Sequence, residues 1–131
     1  MRWLLDTDTC SFAVMGDQQV FSRLDALDRD AWAISSLVYA ELHFGLAKGQ
    51  LQERSARALE KFLRAAPVIP FDTHAAREAA IVRAELEQLG TPSGVIDQLI
   101  AGQARYLGAT LVTSNTKHFE HVPGLRLENW R

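Results

Sequence analysis

At 131 residues the chain is long enough for one substantial hydrophobic core and short for two ordinary domains, so residues 1–131 are expected to form a single domain. With 47% apolar and 23% charged residues its composition is globular, and a formal net charge of −2 argues against a nucleic-acid binder that works through global charge, unless a cation in an acidic pocket reverses the local sign. The lone Cys10 excludes an internal disulfide and a cysteine–histidine zinc site, and no stretch approaches a membrane span or a signal peptide, so a soluble cytoplasmic protein is expected.

The opening RWLL is an unalternating apolar run, the pattern of a strand buried on both faces, and in LLDTDTC it stops on Asp6 and Asp8. TCSFAV and QQVFSRLDAL read as helices, the second with Val20, Phe21, Leu24 and Leu27 spaced for one face. AWAIS is a second short strand, and Ser35 and Ser36 are N-cap candidates for the helix SLVYAELHFGLAKG, which Gly49 can close. LQERSARALEKFLRAA carries a stripe of Leu51, Leu59, Phe62, Leu63 and Ala66, and Pro67 ends it before the brief strand VIPF. A long helix, THAAREAAIVRAELEQLG, runs from an Asp72 cap to Gly90, with Glu78, Glu85 and Glu87 expected as solvated charges. After the turn-forming TPSG come the helix VIDQLIAGQARYLG, the strand ATLVT, the polar turn SNTKHF and a last strand around LRLENW.

Short apolar strands alternating with helices define an α/β domain with a mainly parallel sheet flanked by helices on both faces. Sites in such sheets gather at the carboxyl ends of the strands, and Asp6, Asp8, Ser35, Thr113 and Asn115 all follow strands. Two further acids conflict with their own helices. If Leu37, Val38, Phe44 and Gly45 mark the inward face of their helix, Glu41 lies in the middle of it, and a carboxylate there must be neutral, ion-paired or liganded. Asp97 lies on the shoulder of a stripe of Ile96, Leu99, Ile100, Ala104 and Leu107, where it is either a first-turn cap or a ligand. Asp6, Glu41 and Asp97 come from three separated segments. Brought together without a cation they would raise one another's pKa values, whereas a hard divalent cation favours such oxygen ligands and suits metal-assisted phosphodiester chemistry.

The chain resembles the PIN-domain ribonucleases, and among them the VapC-type toxins of bacterial toxin–antitoxin pairs. The resemblance spans nearly the whole length through LLDTDTC, ISSLVYAELHFGLAKG and TPSGVIDQLIAGQARYLGATLVTSNTKHFEHVPGLRLENW, the last being the most specific. It implies a PIN fold and a Mg²⁺- or Mn²⁺-dependent endoribonuclease leaving a 5′-phosphate and a 3′-hydroxyl. It also implies a homodimer, inhibition by a cognate VapB-like antitoxin, and an RNA substrate, with tRNA among the candidates. Carried over by motif, Asp6, Glu41 and Asp97 are the catalytic, metal-holding acids. Where family members often place a fourth acid this turn has Asn115 and His118, with Glu120 nearby as a substitute. Asp8 either adds charge to the pocket or bonds the local backbone, and Thr113 belongs to the same rim. Arg83, Arg105, Lys117 and Arg126 are candidate RNA phosphate contacts. Two other readings stand beside this one. Asp6-Thr7-Asp8-Thr9 also fits the nucleophile loop of a HAD-type phosphatase, with Asp6 accepting the phosphoryl group, although no acid follows ATLVT. The other is a catalytically inactive PIN scaffold that binds RNA or protein.

Overall fold

The structure is a computed structural model describing residues 1–131. Five short strands form one all-parallel sheet: β1 (Trp3–Leu5), β2 (Trp32–Ser35), β3 (Val68–Ile69), β4 (Thr110–Val112) and β5 (Arg126–Glu128), in the order β3-β2-β1-β4-β5. Six helices connect them: α1 (Thr7–Val14), α2 (Gln18–Asp25), α3 (Ser36–Ala47), α4 (Glu53–Ala65), α5 (Thr73–Leu89) and α6 (Val95–Leu107). Right-handed crossovers in this strand order put α1–α4 on one face and α5–α6 on the other. The contacts agree, with α1 meeting α2, α3 and α4, while α5 packs along α6.

The central strands are apolar throughout because both sides are covered. Leu4, Leu5, Ile34, Leu111 and Val112 are fully buried, and the register sets Leu4 beside Leu111 and Leu127 on one face of the sheet and Leu5 beside Val112 on the other. The stripe on α4 is as expected, with Leu59, Leu63 and Ala66 buried. Ser35 caps α3 by accepting a hydrogen bond from Leu37 N at 3.1 Å, and Asp72 caps α5 through Ala75 N at 2.9 Å. Ser36 serves otherwise, its hydroxyl accepting from Phe71 N at 2.9 Å across the β3–α5 connection.

Three expectations change. On α2, Phe21 is half exposed, and the inward set is Val20 with Leu24 and Leu27. On α3 the buried pair is Val38 and Leu42, one turn apart, while Phe44 is 63% exposed. The inward face is therefore rotated from the one inferred, and Glu41 sits on its exposed shoulder. The third concerns Glu78 and Glu85, which are not free solvated charges. They clamp Arg105 at 3.2 and 2.9 Å and tie α5 to α6. Gly102 allows that pair to close up, since a Cβ there would lie 2.4 Å from the Ala79 Cα. This packing fixes the position of α6, which carries Asp97.

Candidate active site

The strand order reverses between β1 and β4, and the crevice at their carboxyl ends is where an open parallel sheet receives ligands. Asp6 leaves β1 at this point, its backbone N–H donating to Val112 O of β4 at 3.0 Å. It is also the N-cap of α1, since its Oδ1 accepts from Thr9 N at 2.8 Å. The sequence reading missed this second role, although an Asp immediately before a helix is the ordinary N-cap signal. Asp6 is only 6% exposed, and burial raises its pKa. Hydrogen bonds from Thr113 and Thr9 oppose the rise, and Asp8 adds to it. Thr113 is itself fully buried at the end of β4, and its Oγ1 also accepts from Asn115 N at 3.0 Å.

One cleft of about 210 Å³ gathers Asp6, Asp8, Glu41, Asp97, Asn115 and His118, walled by Ile96, Ile100 and Phe119. The four carboxylates are delivered by the end of β1, the first turn of α1, the middle of α3 and the first turn of α6. Glu41 accepts from the Thr7 hydroxyl at 2.5 Å, a contact to a residue that sequence reasoning did not single out. Asp8 accepts from Asn115 Nδ2 at 2.7 Å. It therefore faces the cleft and bonds a residue 107 positions away rather than its local backbone. Asp97 lies in the first turn of α6, but Gly94 is the N-cap and no side chain caps that end. Its Oδ2 instead meets His118 Nδ1 at 3.3 Å. Burial raises the Asp97 pKa, His118 opposes the rise, and Glu41 and Asp8 add to it. The carboxylates thus repel one another across the cleft, and His118 is the only basic side chain lining it.

Such a donor set suits a hard divalent cation, which needs several oxygen ligands and removes this repulsion. As the side chains stand, no three acidic or imidazole groups converge on one point, because Asp8 is turned to Asn115 and Glu41 to Thr7. Both acids are exposed, so each can swing inward without disturbing the core. The residues fit the ion in kind and in placement on one cleft.

The remaining candidates fall elsewhere. Glu120 does not line the cleft and pairs with His121 at 3.5 Å. Arg105 is 16% exposed and uses its guanidinium on Glu78, Glu85 and the Pro123 carbonyl, a structural role in place of a phosphate contact. Arg126 donates to the Gly108 carbonyl at the amino end of the sheet, opposite the cleft. Arg83 lies along α5 with Glu87 at 3.4 Å. Lys117 alone adjoins the site, on the turn beside His118. The phosphatase reading finds no support, because β4 is followed by Thr113, Ser114 and Asn115, with no metal-binding acid.

An all-parallel five-stranded sheet with acids on its carboxyl rim defines a PIN-type fold, and residues 4–125 match the PIN domain family. The chain belongs to that family, within its VapC branch. It is 37% identical over 130 residues to the tRNA(fMet)-specific endonuclease VapC of Salmonella typhimurium, covering 99% of this chain and 98% of that protein. It is 38% identical over 132 residues to ribonuclease VapC2 of Rickettsia felis, again covering 99% and 98%. The crystal structure of DNA-bound VapBC from Salmonella typhimurium superposes with a TM-score of 0.90 at 37% identity, covering 100% of this chain and 99% of that one. No helix of this chain is long and apolar enough to cross a membrane.

Proposed function

We propose that this protein is a toxin-type endoribonuclease that hydrolyses RNA phosphodiester bonds with Mg²⁺ or Mn²⁺ and is inhibited by a VapB-like antitoxin. The observation that carries the proposal is the convergence of Asp6, Asp8, Glu41 and Asp97 on a cleft whose only basic lining residue is His118. Asp6 and Asp97 hold the cation, with Glu41 joining directly or through water. When bound, the cation supplies charge neutralisation, acidification of water and Lewis-acid stabilisation of the phosphate.

The rest of the site positions these groups. Thr113 and the α1 N-terminus hold Asp6, a rigid ligand on a rigid element. Asn115 holds Asp8 and stands where a fourth acid is common in the family, so its amide is a supporting contact. His118 meets Asp97 at 3.3 Å and lines the cleft beside it. A tRNA is the first substrate to test, since a full-length relative is named for tRNA(fMet). Antitoxin binding is supported by the VapBC complex among the structural relatives. A homodimer, usual for the family, belongs to the same proposal and is read by light scattering.

The test is cleavage of a cellular RNA pool and a purified tRNA fraction by antitoxin-free protein, with Mg²⁺ or Mn²⁺, with EDTA, and beside Asp97→Asn. Discrete fragments that need both the ion and Asp97 are expected. Metal binding without cleavage would overturn the nuclease reading, and neither binding nor cleavage would place the inactive scaffold first.

A further inference from the structure

Beside the acidic cleft lies a larger hollow of about 460 Å³ that shares Asp97 and His118 with it. Its wall is the loop from Gly90 to Gly94 and the start of α6, and its rim carries Lys117 and His121. No hydrogen bond or ion pair described for the cleft assigns it a task.

The nuclease reading leaves an electrostatic problem that this hollow can answer. The cleft concentrates four carboxylates and the chain is net negative, whereas RNA is a polyanion that needs local cations to hold it. Many of the chain's arginines are already committed: Arg23 to Glu128, Arg57 to Glu53, Arg83 to Glu87, Arg105 to Glu78 and Glu85, and Arg131 to Asp17. Lys117 differs from them. It is exposed on the turn after β4, has no carboxylate partner and shares its hollow with two imidazoles. One of these, His121, has Glu120 at 3.5 Å, and the other, His118, faces Asp97.

The opposite wall is also suited to an anion. Gly94 opens the 13-residue helix α6 without a side-chain cap, so its first-turn N–H groups lack a side-chain acceptor. Continuity with the cleft through Asp97 places any phosphate in the hollow next to one in the cleft.

We propose that this hollow is the subsite for the RNA backbone phosphate flanking the scissile bond, with Lys117 as its charged contact. The inference rests on the nuclease reading and adds a place and a residue to it. Because a phosphate contact carries no base identity, Lys117 sets affinity and register rather than sequence preference.

The experiment measures KM and kcat on a short single-stranded RNA cut by the wild type, across a salt series, for Lys117→Ala, Lys117→Arg and Arg2→Ala. Arg2 is exposed at the amino end of the sheet, opposite the cleft, and serves as the charge-matched control. Lys117→Ala should raise KM on the order of tenfold with kcat little changed. Its log–log salt slope should fall by about 0.7, the value for one single-strand phosphate contact. Lys117→Arg should restore both, and Arg2→Ala should match wild type. Wild-type KM and slope for Lys117→Ala in an enzyme that still cuts RNA would overturn the subsite alone, as would an equal effect of Arg2→Ala. A wild type that cuts no RNA would overturn the nuclease reading and the subsite with it.

Discussion

The carboxylates of this protein occupy two opposite environments. At the carboxyl rim, Asp6 and Asp97 are partly stripped of water and face other acids, and both have raised pKa values. Outside the cleft, Glu128 at the end of β5 receives hydrogen bonds from Trp3 Nε1, Trp130 Nε1 and Arg23, each at 3.0 Å, and its pKa is lowered. Glu85 is lowered likewise by Arg105. The second group is placed so that its negative charge contributes to the fold. The first is placed so that its charge opposes the fold until something positive arrives. Stability and function are thus legible as the sign of a carboxylate's surroundings.

The largest effect that sharpens this contrast is on activity. Asp97→Asn keeps the shape of the side chain and removes one anionic ligand, so cleavage should fall on the order of 100-fold or more. Its thermal melt in EDTA should not fall, because a repelled charge has been removed. A matching loss of stability would place Asp97 with the structural acids. Arg105→Ala is the reverse case. It leaves Glu78 and Glu85, two turns apart on α5, without their partner on α6, and should cost about 2 kcal/mol in a urea melt while cleavage persists at low temperature.

A smaller effect separates the two groups by pH. Glu128 has a folded pKa below the ordinary glutamate value of 4.5, so its contribution is complete above that value and is lost as pH falls through the lowered one. Glu128→Gln should therefore be less stable than wild type at neutral pH, by under about 1 kcal/mol given its partial exposure, and indistinguishable in strong acid. For Asp97 the sign reverses: a raised pKa penalises the folded state above the ordinary aspartate value of 3.8, so Asp97→Asn gains on wild type as pH rises from there. The smallest effect is expected for Glu41→Gln, which should remain folded and melt slightly higher than wild type in EDTA. A marked drop would mean that the Thr7 contact is structural.

What could be read in the sequence was whatever one segment states by itself. The strands show as unalternating apolar runs because helices cover both faces, and Asp72 and Ser35 announce their helices by type and position. The face of α3 was misjudged because Leu37, Val38, Tyr39, Leu42, Phe44 and Leu46 surround the helix with apolar side chains, leaving periodicity little to select. Glu41 was nonetheless singled out, since a carboxylate amid such a helix is anomalous on either assignment. The long-range pairs were not legible at all. Asn115 with Asp8, Arg105 with Glu78 and Glu85, and His118 with Asp97 each join segments whose proximity only the strand order creates.

The central claim is that the rim acids are held against their own repulsion for the sake of a cation. The most direct measurement is the melting temperature of the purified, antitoxin-free protein against Mn²⁺ concentration, for wild type and Asp97→Asn. An ion that binds the folded state alone stabilises it by about 2.7 kcal/mol at a hundred times its dissociation constant. The account predicts a saturable rise for wild type and little or none for Asp97→Asn. A flat wild-type curve, or the same rise in both, would contradict it.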